Sequence, residues 1–172
     1  MSTYPLLIPF SAFSVLLFCP GIDPGCVDLV GRMPREDYLR RLASIDIALD
    51  PFPFSSVTTT CDSLWMGVPV VSRLGERLWS RSAASLLPHV GLEDLIAGRE
   101  KYATSIAGAN HDPAVEDQHV QIAVELAGDG ERLRRLRRTL RERMLSSPLC
   151  DGKRMARELA EAYCFMWRQH TG

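Results

Sequence analysis

The sequence predicts an α/β protein with a short parallel sheet followed by several helices. In the first part of the chain, three short apolar runs alternate with helical segments. Strands of a parallel sheet are buried on both faces and therefore have continuous apolar sequences. Strands that are joined through helices form parallel sheets with right-handed crossovers. The pattern is typical of half of a doubly wound fold.

Length and composition indicate one globular domain. The chain has 172 residues, of which 46% are apolar and 24% are charged, enough for one well-buried core. The formal net charge of −1 gives no reason to expect nucleic acid or a membrane surface as a partner. The five cysteines form no C-x-x-C pair and have no histidine at metal-ligand spacing, which favours a reduced, cytoplasmic protein without a bound metal.

Residues 1–20 form an apolar amino-terminal segment that lacks a basic start and is interrupted by Pro5 and Pro9. Its longest uninterrupted run, residues 10–19, is shorter than the roughly twenty apolar residues that span a bilayer. We therefore expect no membrane anchor, and we favour a buried or disordered remnant over a signal peptide. The domain itself is expected to comprise residues 21–172.

Three strands and two helices are expected in the first part of this domain. The predicted strands are Val27–Val30, Ile45–Leu49 and Val68–Val71. A helix is expected over 34–43, because Pro34 costs nothing at a helix start and two acidic residues suit the first turn. A second helix is expected to begin at Thr58 and to end at Gly67, which suits the carboxyl-terminal cap.

The second part of the chain predicts mostly helices. Short amphipathic pieces over 78–87 and 92–96 precede a polar loop, residues 108–117. Longer helices are expected over 120–126, 131–144 and 153–167. Apolar residues recur every three or four positions on the last two, as with Met155, Leu159, Tyr163 and Met166 on the final one. Seven arginines lie on the helix over 131–144, for which a solvated face is favoured over a nucleic-acid site.

The segment Asp50–Val71 has the residues best suited to binding. A predicted strand ends, a proline-containing loop follows, and hydroxyl residues open a helix. Ligands bind at the carboxyl ends of parallel strands, and the N–H groups of a helix start, with Thr58 and Thr59, suit a phosphate or diphosphate. Asp62, one turn later, suits a ribose or sugar hydroxyl. The alternative, equally supported by these residues alone, is a threonine that only caps the helix while Asp62 improves its first turn.

Five motifs follow one another along the chain: V-G-R-M-P-R-E at Val30–Glu36, D-I-A-L-D-P-F-P at Asp46–Pro53, T-T-T-C-D-x-L-W-M-G-V-P-V-V at Thr58–Val71, S-R-x-x-A-S at Ser80–Ser85 and S-S-P-L at Ser146–Leu149. In this order they resemble the carboxyl-terminal catalytic region of the protein O-GlcNAc transferase family, including bacterial members similar to plant SPINDLY proteins. The resemblance implies the carboxyl-terminal Rossmann-like half of a GT-B glycosyltransferase. Such enzymes transfer a sugar, usually from UDP-GlcNAc, to serine or threonine of a protein acceptor without a metal ion or other cofactor.

The resemblance also implies which residues bind the donor. Thr58 and Thr59 correspond to the pair at the diphosphate, Asp62 to the acid at the ribose, and Arg35, Tyr38 and Arg41 to the uridine-facing positions. Tyr38 would pack its ring against uracil. For the two arginines the alternative is a solvated helix face.

The sequence departs from the family pattern in three ways. Ser55–Ser56–Val57 replaces the usual N-G-G, whose glycines allow close backbone approach. The segment over 102–119 is longer than the family pattern. The amino-terminal half, which holds the base candidates, has no counterpart here, so no catalytic base is assigned and a separate chain is expected to supply that half. The alternatives are a non-catalytic nucleotide-sugar-binding module, a truncated gene product or, least favoured, a small basic-helix interaction protein.

Overall fold

A computed structural model describes residue 25, residue 28, residues 30–102 and residues 112–171. The chain divides into two compact units, Met1–Pro34 and Arg35–Gly172. The apolar segment 1–20 lies outside the described residues, so its predicted character stays a prediction. The second unit contains the helices and strands that are relevant to function.

The helices and strands of the second unit follow in chain order. They are α1 (Arg35–Leu42), β1 (Ala48–Leu49), α2 (Thr58–Trp65), β2 (Val70–Arg73), α3 (Ser82–Leu86), β3 (Ile96–Ala97), α4 (Arg99–Tyr102), α5 (Pro113–Gly128), α6 (Gly130–Ser146) and α7 (Gly152–Thr171). Single 3₁₀ turns occupy Leu78–Ser80, Leu87–Val90, Glu93–Leu95 and Pro148–Cys150. None of the described helices is long and apolar enough to cross a membrane.

The sheet has three parallel strands in the order β1-β2-β3. Ala48 pairs with Val70, and Ser72 pairs with Ile96. The predicted α/β class with a short parallel sheet is therefore confirmed.

Two of the three predicted strands are present, whereas the predicted strand Val27–Val30 is described only at residues 28 and 30. At the expected first strand, the described residues Asp28 and Val30 are exposed and outside any strand. The third strand is Ile96–Ala97, at the end of a segment that the sequence predicted to be helical. A strand of two residues shows no periodicity of its own. It forms because the backbone of β2 is available for pairing, and the Leu74 N–H, directly after β2, donates to the Ala97 carbonyl at 3.0 Å.

Helices α1 and α2 lie where the sequence predicted them. Gly67 follows α2 with φ of +80°, and a Cβ at this position would lie 2.7 Å from the Arg137 carbonyl oxygen. The predicted loop over 108–117 is wrong from residue 112 onward. Asp112 caps α5 by accepting from Ala114 N–H at 3.0 Å, and Pro113 occupies the first turn, where it costs nothing.

The core lies between the sheet and the helices α2, α5 and α6. Its largest fully buried apolar side chains include Leu64, Val71, Leu87, Leu126 and Leu140. The predicted apolar stripe of α6 contributes Leu136, Leu140 and Met144. The arginines of this helix lie mainly at the surface, which agrees with the solvated-face interpretation.

Helix α7 has the predicted apolar face, but all its described residues are exposed. The face comprises Met155, Leu159, Tyr163 and Met166. Asp151 directly precedes this helix, and its side chain accepts from the Arg154 N–H at 2.9 Å.

Candidate functional site

The candidate site lies at what we name the carboxyl edge, the sheet edge at which β1 and β2 end. The two strands are parallel neighbours, so the loops that follow them leave the sheet on the same side. The loop after β1 leads through residues 50–57 into α2. The loop after β2 leads to the 3₁₀ turn Leu78–Ser80. Ligands of open α/β sheets bind at this kind of edge.

A buried carboxylate fixes the loop after β1. Asp50 is only 7% exposed. One carboxylate oxygen accepts from the hydroxyls of Ser55 at 2.7 Å and Ser72 at 2.8 Å. The other accepts from the Ser56 N–H at 2.9 Å and the Ser56 hydroxyl at 3.3 Å. A buried charge is tolerated when it is hydrogen-bonded in this way, and the bonds hold the loop in one conformation.

Sequence reasoning did not identify Asp50 as part of the site. The available signal was the pair of serines, because each places a hydroxyl where the family pattern has asparagine or glycine. Ser55 and Ser56 are half-buried, and both hydroxyls bind the Asp50 carboxylate. The departure from N-G-G therefore produces an ordered loop that is held by side-chain hydrogen bonds.

Helix α2 begins without a side-chain cap. Val57 is the capping residue and provides no hydrogen bond to the helix, and the first turn contains no acidic residue. Thr58 and Thr59 are exposed, and within the described part of the chain their hydroxyls have no hydrogen-bond partner. Thr60, by contrast, is buried and donates to the Ser56 carbonyl at 2.8 Å. The capping alternative is therefore wrong: neither threonine is the N-cap, and Asp62 lies beyond the first turn.

Three of the predicted donor-binding residues lie together. The Arg35 guanidinium donates to both carboxylate oxygens of Asp62, at 2.9 and 2.7 Å. Its central carbon lies 6.0 Å from the centre of the Tyr38 ring. The Asp62 hydrogen bond, and then its charge, raise the pKa of Arg35, so the guanidinium stays charged. Arg41 is exposed in the last turn of the same helix.

The Asp62 carboxylate keeps free acceptor positions although Arg35 binds it. Each carboxylate oxygen has about two acceptor positions, and Arg35 occupies one on each oxygen. The Asp62 side chain is 14% exposed. An approaching hydroxyl can therefore still donate to it.

Two titratable residues near the candidate site, Cys61 and His119, have surroundings that suit a structural role. Burial, followed by the charges of Asp62 and Cys150, raises the pKa of the Cys61 thiol, which makes Cys61 a poor nucleophile at neutral pH. His119 lies on α5, with its Nε2 3.3 Å from the Val71 carbonyl oxygen.

Fold and site together define a Rossmann-like α/β domain with an uncapped helix start at the carboxyl edge of its sheet. The sequence profile of "Glycosyl transferase family 41" matches residues 18–159. The chain belongs to this family. The resemblance to the carboxyl-terminal catalytic region of the O-GlcNAc transferases is thereby confirmed.

Individual relatives agree with this assignment. A Solanum lycopersicum protein described as "Probable UDP-N-acetylglucosamine--peptide N-acetylglucosaminyltransferase SPINDLY" is 38% identical over 151 residues, 87% of this chain and 14% of its own length. A Caenorhabditis elegans UDP-N-acetylglucosamine–peptide N-acetylglucosaminyltransferase is 28% identical over 150 residues, 87% of this chain and 12% of its own. The chain thus spans about one seventh of the curated relatives that it matches.

A solved structure gives the same result for the fold. The Thermobaculum terrenum O-GlcNAc transferase mutant K341M superposes with a TM-score of 0.74 at 33% identity, over 92% of this chain and 28% of that one. The fold is the carboxyl-terminal Rossmann-like half of a GT-B glycosyltransferase.

Proposed function

We propose that this chain binds UDP-GlcNAc, or another UDP-sugar, as the donor-binding half of a glycosyltransferase that modifies serine or threonine of proteins. One observation supports this most directly. The uncapped start of α2 presents two exposed threonine hydroxyls next to the Arg35–Asp62 pair. The names of the SPINDLY and Caenorhabditis elegans relatives describe transfer of N-acetylglucosamine to peptides, which is consistent with such a donor.

The diphosphate is proposed to bind at the start of α2. The first N–H groups of a helix have no partner within the helix, and its dipole is positive at this end. Thr58 and Thr59 add two hydroxyl donors beside those groups. An anion bound there is stabilised without a resident metal ion or other cofactor, so we propose that the donor needs none.

The nucleoside is proposed to bind against α1. Asp62 would accept hydrogen bonds from ribose hydroxyls while Arg35 keeps its carboxylate oriented. The Tyr38 ring offers an apolar face to uracil, and Arg41 lies one helical turn further along the same helix. In this arrangement Arg35 contributes to nucleoside binding mainly by keeping the Asp62 carboxylate oriented.

The acceptor site and the catalytic base are proposed to lie in other parts of the enzyme. The chain spans 14% of the SPINDLY relative's length. The remaining half of the cleft would come from elsewhere in the same protein or from a separate chain. We therefore expect no sugar transfer from this chain alone, which an assay with UDP-GlcNAc and an acceptor peptide would measure.

Isothermal titration calorimetry with UDP tests the proposed donor site. We expect saturable binding that Thr59→Ala and Asp62→Ala each weaken by roughly tenfold, because each removes one hydrogen-bonding group at a charged ligand. Thr171→Ala is the matched control, since Thr171 is an exposed helical threonine near the carboxyl terminus. Absence of heat at millimolar UDP, or equal weakening by all three variants, would contradict the proposal.

A further inference from the structure

We propose that Phe54 and Trp79, named here the aromatic pair, form the binding surface for the sugar ring of the donor. The inference rests on the proposed function, because it extends the same site from the nucleotide to the sugar. It identifies two residues that determine sugar affinity.

The aromatic pair is stacked and open to solvent. The two ring centres lie 6.4 Å apart and the ring planes differ by 23°. Phe54 is 70% exposed and Trp79 is 50% exposed. Phe54 lies in the loop after β1 and Trp79 in the turn after β2, so both residues lie at the carboxyl edge.

Hydrogen bonds between the two loops hold the aromatic pair in place. The Ser55 N–H donates to the Trp79 carbonyl at 2.9 Å. The Ser55 hydroxyl accepts from the Ala83 N–H at 2.7 Å and donates to Asp50. Residues 54 and 79 are therefore neighbours of a buried hydrogen-bonded network. A surface that is fixed in advance loses little conformational entropy when it binds a ligand.

Gly75 allows the two loops to lie close together. A Cβ at this position would lie 2.3 Å from the Ser80 hydroxyl and 2.9 Å from the Phe52 ring. Only glycine lets the loop after β2 approach this closely. Ser80 in turn binds the backbone of Arg77, whose guanidinium lies 6.0 Å from the centre of the Trp79 ring.

The chemistry of a pyranose matches this surface. One face of a hexose presents C–H groups, which bind the electron-rich face of an aromatic ring, while its hydroxyls point outward. Arg77 is exposed beside Trp79 and offers donors to those hydroxyls. Exposed aromatic groups that are held rigidly at a binding edge are typical of ligand contacts.

The order of groups in the ligand also matches the order of residues at the site. A nucleotide sugar consists of ribose, diphosphate and sugar in that sequence. Asp62 lies one turn into α2, Thr58 and Thr59 begin that helix, and Phe54 precedes it. A donor with its ribose at Asp62 and its diphosphate at the threonines would therefore have its third group near the loop before α2, which contains Phe54.

Calorimetry with two ligands, UDP and UDP-GlcNAc, tests this inference on the full chain. For Trp79→Ala and Phe54→Ala we expect UDP-GlcNAc affinity to fall by roughly threefold to tenfold while UDP affinity stays within twofold of wild type. Trp79→Phe keeps an aromatic face and should restore most of the loss. Trp167→Ala removes an exposed tryptophan from α7 and serves as the matched control.

Three outcomes would overturn the inference. Unchanged affinity for both ligands in both alanine variants would assign the aromatic pair to another occupant, such as an acceptor peptide. Equal weakening of UDP and UDP-GlcNAc would show that the pair only supports the loop. Loss of UDP-GlcNAc affinity in Trp79→Phe equal to that in Trp79→Ala would exclude stacking as the cause. Absence of UDP binding by the wild type would instead refute the proposed function, and this inference with it.

Discussion

At the residue scale, the loop before α2 depends on one carboxylate. Asp50 accepts four hydrogen bonds from Ser55, Ser56 and Ser72 while nearly excluded from solvent. Removing the acceptor would leave buried donors without partners. The free energy lost in this way is larger than the net stability that the hydrogen bonds themselves contribute. The conformation of residues 50–57, and with it the position of Phe54, is therefore set by this side chain.

The variant Asp50→Asn tests this dependence. The amide nitrogen replaces one acceptor with a donor that faces other donors, so we expect the free energy of unfolding to fall by about 2 kcal/mol. Urea denaturation measures that loss, and calorimetry should show weaker UDP binding. Asp46→Asn is the control, because the Asp46 side chain is 79% exposed. Equal stability of the two variants would contradict the assigned role.

At the element scale, the crossover from α2 to β2 depends on close packing against α6. The chain reverses at Gly67 with a left-handed backbone, and its Cα faces the Arg137 carbonyl. Arg137 also donates to the carbonyl oxygens of Ala43 and Ile45, so the same part of α6 contacts the segment between α1 and β1. The orientation of α2, whose start is the proposed diphosphate site, therefore depends on α6.

The variant Gly67→Ala should destabilise the domain. A positive φ costs an alanine about 1–2 kcal/mol, and the new Cβ must also displace a backbone atom, so we expect a total loss of at least about 2 kcal/mol. Gly128→Ala is the matched control, since a Cβ there would have no neighbour within 4 Å and no positive φ applies. Thermal unfolding of the two variants would measure the difference, and similar midpoints would contradict the expectation.

At the scale of the whole molecule, the last helix, α7, contributes no described residue to the buried core. The buried apolar side chains belong to the sheet, to α2, α5 and α6 and to the turns between them. Helix α7 contributes none, because all its described residues are exposed. The unit that begins at Arg35 is therefore expected to be stabilised mainly by the residues before Gly152.

A chain that ends after Asp151 tests this expectation. Because α7 itself contains no buried residue, we expect the midpoint of thermal unfolding to change by only a few degrees. UDP binding should persist, since the candidate site lies in residues 35–79. Deletion of α6 as well, from Gly130 onward, is the contrasting variant and should abolish cooperative unfolding because it removes Leu136 and Leu140 from the core. Loss of folding in the shorter deletion would contradict the expectation.

The family, the α/β class and the helices α1, α2 and α6 could be predicted from the sequence alone. Their signals are local: apolar residues every three or four positions, proline or acidic residues at helix starts, and motifs at fixed spacing. The start of α2 at Thr58 was predicted for the same reason. The six donor-binding residues remain predictions, of which the structure brings Arg35, Tyr38 and Asp62 together.

Only the tertiary structure decided the remaining features. Strand β3 has two residues and exists through its pairing with β2. Asp50 gained its role from Ser55, in the loop after β1, and from Ser72, on β2, which are 5 and 22 residues away. The aromatic pair joins loops that are separate in sequence. Periodicity and motif spacing report contacts within a few residues, whereas pairing, burial and stacking depend on which distant segments meet, and that is determined by the packing of the whole chain.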